Sequence, residues 1–396
     1  MIRQTLAIFL DAYRELNARK LFWITTGLST LVVLVFAGLG INEKGINFLG
    51  FPLGFIELTS EDVAPALFYK VAFMNLGVNF WLTWIAMLLA LLSTASIIPD
   101  FVAGGAIELT LCKPIGRARL FLTKYLSALL FAMMQVGAFT LVAFLVIGIR
   151  GKSWEPSIFL AVPVVVAVFS FTYCVQALVG LLTRSTIASL LVSLLFLGVV
   201  WLLHTADSTT TLFRESSRVR LEAASSTLAQ MERNFRLRLE LEQRAGQPGA
   251  LPPERNPASL TPKELDERNP AIANQRRRVD DLQGTIKTLD KWNTGFLVAK
   301  TVLPKTSETS ELLGRFLLTD EEFASISQRD QDSSGIQVDA SDGESVQERQ
   351  MVMNEAGARA QSVFRGRSIW WVLGTSLAFE AVVLGIATVI FVRRDF

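Results

Sequence analysis

The sequence predicts an all-α membrane protein: six transmembrane helices, an interfacial helix at the N-terminus, and a large, mainly helical extracytoplasmic insert between helices 5 and 6. Three observations predict it. The 396 residues are 51% hydrophobic and 19% charged, whereas soluble domains run near 25% charged, so a soluble fold of this length lacks the polar surface to cover itself. The apolar residues are gathered into runs of roughly the 20 residues that a spanning helix needs. Charge collects instead in one segment: residues 205–366 hold 22 of the 38 basic and 25 of the 36 acidic side chains, leaving 16 and 11 to the apolar remainder.

Residues 1–20 read as an interfacial helix. Ile2, Leu6, Phe9, Leu10, Tyr13 and Leu16 recur at helical spacing, with Arg3, Asp11, Arg14 and Glu15 elsewhere on the wheel. The alternative is that they form the polar first turns of the first span. This start is charged, unlike a cleavable signal. Six runs follow as spans: 21–41, 71–98 (crossing only in its later part, from about Phe80), 125–149, 158–182, 187–203 and 369–392, the fifth and shortest alternatively pairing with the fourth as one hairpin through 183–186. Several tryptophans, Trp23 and Trp201 among them, sit near the ends of these runs, as interfacial anchors do. Pro163 is expected to kink the fourth span. One set of connections and tails carries 11 basic residues and the short loops of the other side carry 5. The basic-rich side is cytoplasmic, so both termini fall inside, in the cell (inner) membrane, and 205–366 outside.

The insert has its own pattern. Leu221, Leu228 and Phe235 repeat every seven residues, as do Leu265, Ile272, Val279 and Ile286. The Pro- and Gly-rich stretch 246–262 breaks any helix between them. An antiparallel helical hairpin over about 212–291 is expected, with Arg238 and Gln275 at seam positions and Pro270 limiting the second arm. The apolar patches 296–303 and 312–318 are too short to span. They either dip into the outer interface or form the base of the external domain. Residues 327–346, rich in Asp, Ser, Gln and Gly, read as a mobile loop, and 347–364 as a helix leading into the last span.

Most catalytic chemistry is excluded. One histidine, His204, and two cysteines, Cys112 and Cys174, build no Cys/His metal site. The nearest phosphate loop is Gly151-Lys152-Ser153, but its first glycine would fall at Val146, inside a span. An enzyme is not expected, nor is a nucleic-acid partner. Within the spans, Glu380 lies near the centre of the last one, where an unpaired carboxylate is expensive, so it must pair, face water or be protonated. With Gln135 and Gln176 it forms an intramembrane polar site, either on a substrate path or in a plain interhelical hydrogen bond. Gln135, Gln176 and Tyr173 are its candidate partners.

The informative loop joins the second and third spans. It runs from Pro99 through Gly104, Gly105, Ile107, Glu108, Lys113, Pro114 and Arg117 to Lys124 and Tyr125. This resembles the cytoplasmic loop of type-2 ATP-binding-cassette permease subunits: a Gly, an Ile-Glu pair, a Leu-x-Lys-Pro-Ile step and an Arg leading into Lys-Tyr-Leu. The pattern covers about 30 residues, and the architecture agrees along the chain. The resemblance implies an ATPase subunit docked at 99–124, with Pro99 and the two glycines ending one helix and Pro114 a short coupling helix. It further implies a second permease subunit, as a homodimer or heterodimer. ATP would be bound by the partner subunit, and no cofactor by this chain. An exporter is expected. The alternative is a mechanical or scaffold subunit acting on an envelope protein through the external hairpin.

Overall fold

The computed structural model describes residues 20–42, 45–49, 51–52, 64–103, 116–245, 256–317, 322 and 346–394. The expected interfacial helix before Lys20, the mobile loop up to Ser345 and most of the coupling loop lie outside them. The described chain is overwhelmingly helical. Five helical runs are long and apolar enough to cross a membrane, and the helix beginning at Lys20 adds a shorter apolar stretch, Trp23–Gly38. It is a membrane protein by this measure. Two compact units emerge: one of residues 1–204, 300–325 and 367–396, the other of 205–299 and 326–366.

In the first unit, α1 (Lys20–Gly38) runs directly into a small antiparallel sheet, β1 (Leu39–Asn42), β2 (Gly45–Phe48) and β3 (Phe51–Pro52). The all-α expectation missed this sheet. Its register pairs Gly40 with Asn47 and Ile41 with Ile46, and the signal was the repeat Gly-Ile-Asn at 40–42 and 45–47. Gly45, at φ 107°, supplies the left-handed turn residue that a tight hairpin needs.

The second span is composite. α2 (Pro65–Ala72) continues into a π-helical stretch, Phe73–Ala86, then α3 (Met87–Thr94) and, after a bend at Ala95-Ser96, α4 (Ile97–Ala103). A π segment of 14 residues is far longer than the single turn usual in proteins. Pro99 does not end a helix, as the sequence suggested. It sits in the first turn of α4, a position where a missing N–H is tolerated. Its ring lies against Gly180, where an added Cβ would meet it at 3.2 Å.

α5 (Arg117–Arg150) is followed by a 3-10 turn (Pro156–Leu160) and α6 (Ala161–Thr183). Pro163 also falls in a first turn, so the expected kink from a freed carbonyl does not arise. Arg184 closes α6 in the left-handed conformation, φ 53°. Ser185 then caps the next helix by accepting the Ala188 N–H. α6 is the hub of this unit, packing on α5, the π stretch and the last helix. Lipid tails are as apolar as leucine, so such helices are held by shape and by polar contacts. Two contacts of that kind are Trp81 Nε1 to Ser29 Oγ at 3.3 Å and Gln176 Nε2 to the Leu91 carbonyl at 2.9 Å.

The fifth apolar run belongs to α7 (Thr186–Arg244), a helix of 59 residues that also supplies the first arm of the second unit. There, after 3-10 turn Pro257–Ser259 and α8 (Pro262–Arg268), α9 (Pro270–Val302) runs antiparallel to it. Gln275 Nε2 donates to the Ala224 carbonyl at 3.0 Å, and Asn293 Nδ2 to Thr211 Oγ1 at 3.1 Å. Arg276 reaches Glu232 at 2.7 Å and Asp266 at 3.0 Å. Of the heptad residues, Leu265, Ile272 and Val279 are buried, whereas Leu221, Leu228, Phe235 and Ile286 are half-buried. Gln275 keeps its seam place through that carbonyl. Arg238, the other polar residue expected in the seam, instead points out to Glu242, and Leu239 is the buried residue there. α11 (Val346–Arg365) is tied to α7 by a bidentate Arg359–Glu222 pair.

α10 (Thr306–Leu317) belongs to the first unit, not to the insert in which the sequence placed it. Its Leu313 and Leu317 pack with Phe73, Trp81 and Phe139. α12 (Ile369–Arg393) completes the unit.

Candidate functional site

Of the residues read as coupling to an ATPase, Gly104, Gly105, Ile107, Glu108, Lys113 and Pro114 lie outside the described residues. Arg117 does not, and it is an anchor. As the first residue of α5, it donates from Nη1 to the carbonyls of Val392 and Arg394, each at 3.1 Å. Arg394 Nη1 donates in turn to the Leu181 carbonyl at 2.6 Å. A helix C-terminus leaves its last carbonyls unpaired and carries partial negative charge, so a guanidinium satisfies both needs. Aromatic packing adds to this. Phe391 stacks on Phe101 at 6.3 Å and lies 5.4 Å from Phe121, and Lys124 sits over the Phe101 ring. Both edges of the 104–115 segment are therefore fastened to the end of α12, and through Arg394 to α6.

The intramembrane polar residues do not converge. Glu380 Oε1 accepts from the Tyr125 hydroxyl at 2.8 Å and from the Ser170 hydroxyl. The Tyr125 ring stacks on Tyr173 at 5.3 Å. Gln176 is engaged with Leu91, and Gln135 is buried with neither amide atom bonded among the described residues. The partners of Glu380 are thus Tyr125 and Ser170, in place of the glutamines and Tyr173 that sequence reasoning named. A carboxylate held by two hydroxyls has part of its desolvation cost offset. Chemically it is a hydrogen-bond acceptor or a proton carrier. Among the described residues no group of three metal-ligating side chains forms.

Sequence reasoning missed a buried charge cluster. Glu308 of α10 accepts from Lys300 Nζ and Arg367 Nη1, both at 2.6 Å, and its side chain is 4% exposed. Lys300 Nζ also lies 3.4 Å from His204 Nδ1. Lys305 is fixed by Thr375 Oγ1 and by the Trp371 ring, 4.1 Å away, while its backbone N–H donates to Ser376 Oγ. Burial, with Lys300 and Arg367 nearby, lowers the Lys305 ammonium to about 8 against the pull of Glu308. The crevice beside these groups holds about 10 Å³, room for one water at most, so it is no substrate pocket. The cluster joins residues nearly 170 positions apart, which no periodicity reveals.

No family model, characterised protein or solved structure matches the chain.

Proposed function

We propose that the chain is the membrane-spanning permease subunit of an ATP-binding-cassette exporter, driven by a separate ATPase subunit at the 99–124 loop. The observation that carries this reading is the Arg117 anchor. A push on the short segment before α5 reaches the carbonyl ends of α12 and α6 through two guanidiniums. A chain that receives ATP-driven motion by contact needs such a rigid connection between the contact and its spans. The loop's Gly, Ile-Glu and Lys-Pro-Ile pattern supplies the resemblance, and Glu108 is the residue assigned to a basic partner. Lys20–Gly38 is the first of six spans, the termini are cytoplasmic, and the second unit is extracytoplasmic. ATP is bound in the partner chain, and two permease subunits form the path.

Deleting 104–117 should abolish capture of the ATPase in a pull-down, while Arg117→Ala should keep capture and lose export about tenfold. Undiminished capture by the deletion removes this mechanism. A mechanical reading is favoured by one feature, the size of the second unit and its long antiparallel arms. Removal of 218–291 separates the two readings: continued export supports the transporter, and loss of an envelope partner with no exported substrate supports the mechanical role.

A further inference from the structure

The described passages of the chain between its two units fall at His204, Lys300 and Arg367, each the last or first residue of the first unit there. These three residues meet in one cluster. Lys300 and Arg367 both hold Glu308, and Lys300 Nζ reaches His204 Nδ1 at 3.4 Å. His204 Nε2, on the other edge of the ring, lies 3.9 Å from Glu311 Oε1. All of these residues belong to the first unit. The imidazole is thus set between a cation of α9 and an anion of α10. An ammonium has hydrogens to donate and no lone pair. Nδ1 therefore accepts from Lys300, and the ring is neutral with its proton on Nε2, the edge toward Glu311.

We infer that His204 is a partner-switching histidine: neutral, it holds Lys300 of α9, and protonated, it lets Lys300 go and pairs with Glu311 of α10. Histidine is the side chain whose ordinary titration falls near neutral pH. A second proton enters at Nδ1. It removes the acceptor that Lys300 uses and sets two cations against each other. Across the ring the same proton strengthens the attraction to Glu311, which at 3.9 Å stands just outside hydrogen-bonding distance. The other charges nearby favour the exchange. Lys305 lines the same crevice as His204, and Arg315 donates to the Arg367 carbonyl. Glu308 is already shared by two cations. Asp207, buried one turn further along α7, is the acid on the histidine's own helix. Lys300 keeps Glu308 in both states, so the switch frees α9 from α7 without dismantling the Glu308 cluster. The His204 and Glu311 side chains are 18% and 47% exposed, so the proton arrives from solvent. In the proposed topology that solvent is outside the cell, but the switch itself rests on neither the ATPase nor export.

The chain has one histidine, so the full-length protein, labelled with nitrogen-15 histidine and purified without a histidine tag, shows a single imidazole by NMR. Near pH 8 the parent should show the Nε2–H tautomer, and both ring nitrogens should be protonated near pH 5. Lys300→Met should raise the proton affinity of the ring about tenfold, and Glu311→Gln should lower it by a similar factor. Hydrogen exchange over 300–303, corrected for its intrinsic pH dependence, should be faster at the lower pH in the parent. In His204→Gln, which keeps a polar side chain that does not titrate, it should be the same at both. An Nδ1–H tautomer at the higher pH overturns the contact with Lys300 and with it the inference. An imidazole that does not titrate over this range, or that titrates alike in the parent and both variants, overturns the switch. So does an exchange response that survives His204→Gln. Topology enters none of these readouts, so their failure leaves the proposed function standing, and an inverted chain would leave the switch standing.

Discussion

Lys305 is 2% exposed, and the folded chain holds its ammonium at about 8 against the ordinary 10.5. Between those values the unfolded chain binds a proton that the folded chain does not, so stability rises with pH across that window and is flat below it. The cost of keeping Lys305 charged is on the order of 3 kcal/mol below pH 8. Lys305→Met should therefore remove a rise in stability between pH 8 and 10, seen as the difference between parent and variant midpoints in thermal unfolding. Its midpoint should equal or exceed the parent's at pH 7.5, because an apolar side chain carries no desolvation penalty. At this scale the sequence was read unevenly. Glu380 stood out because a carboxylate inside an apolar run is conspicuous. Ser170 did not, because a serine within a span carries no signal until another helix aims a carboxylate at it. Lys300 and Glu308 looked like ordinary surface charges of a polar insert, and Arg367 like one of the five basic residues of the short loops.

Among the elements, the hairpin follows the heptad periodicity in part, through Leu265, Ile272 and Val279. Leu265 is fully buried beside Leu239, Leu260 and Phe235, and Thr261 N–H donates to Glu264 Oε2 at 2.8 Å to set the start of α8. Leu265→Ala should cost about 2–5 kcal/mol, measured by urea unfolding of the second unit's helix signal in the full protein. Its effect should exceed that of Leu237→Ala, a residue 58% exposed on α7 of the same unit. The misread elements share a cause. Pro99 and Pro163 were weighed by residue type alone, yet proline's effect depends on whether it falls in a first turn or an interior one. The π winding of Phe73–Ala86 was equally hidden, since an evenly apolar run shows no change of period.

For the whole molecule, the charge asymmetry of the loops predicts a topology that the proposed function requires. A cysteine at Lys291 should be labelled from outside intact cells by an impermeant thiol reagent. One at Arg119 should be labelled only after the membrane is opened. The reverse pattern would invert the chain and detach the proposed ATPase from its loop. The placement of α10 is the larger lesson. Sequence drew the polar insert as 205–366 by its charge and left the patch 312–318 either at the outer interface or at the base of the external domain, but the unit that holds 300–325 is the apolar one. Leu312, Leu313 and Leu317 on one face of α10 are buried, while Glu308 at its start finds two cations.

Hydrophobic run length and charge distribution, which are local sums along the chain, were enough to reveal a membrane protein with long apolar helices and a separate helical hairpin. Partners brought together from distant positions were decided by the tertiary structure alone: Glu380 with Tyr125 and Ser170, Arg117 with the end of α12, Glu308 with Lys300 and Arg367. A polar group buried among apolar helices must find its complement wherever packing places one, and packing depends on the shapes of all the helices together.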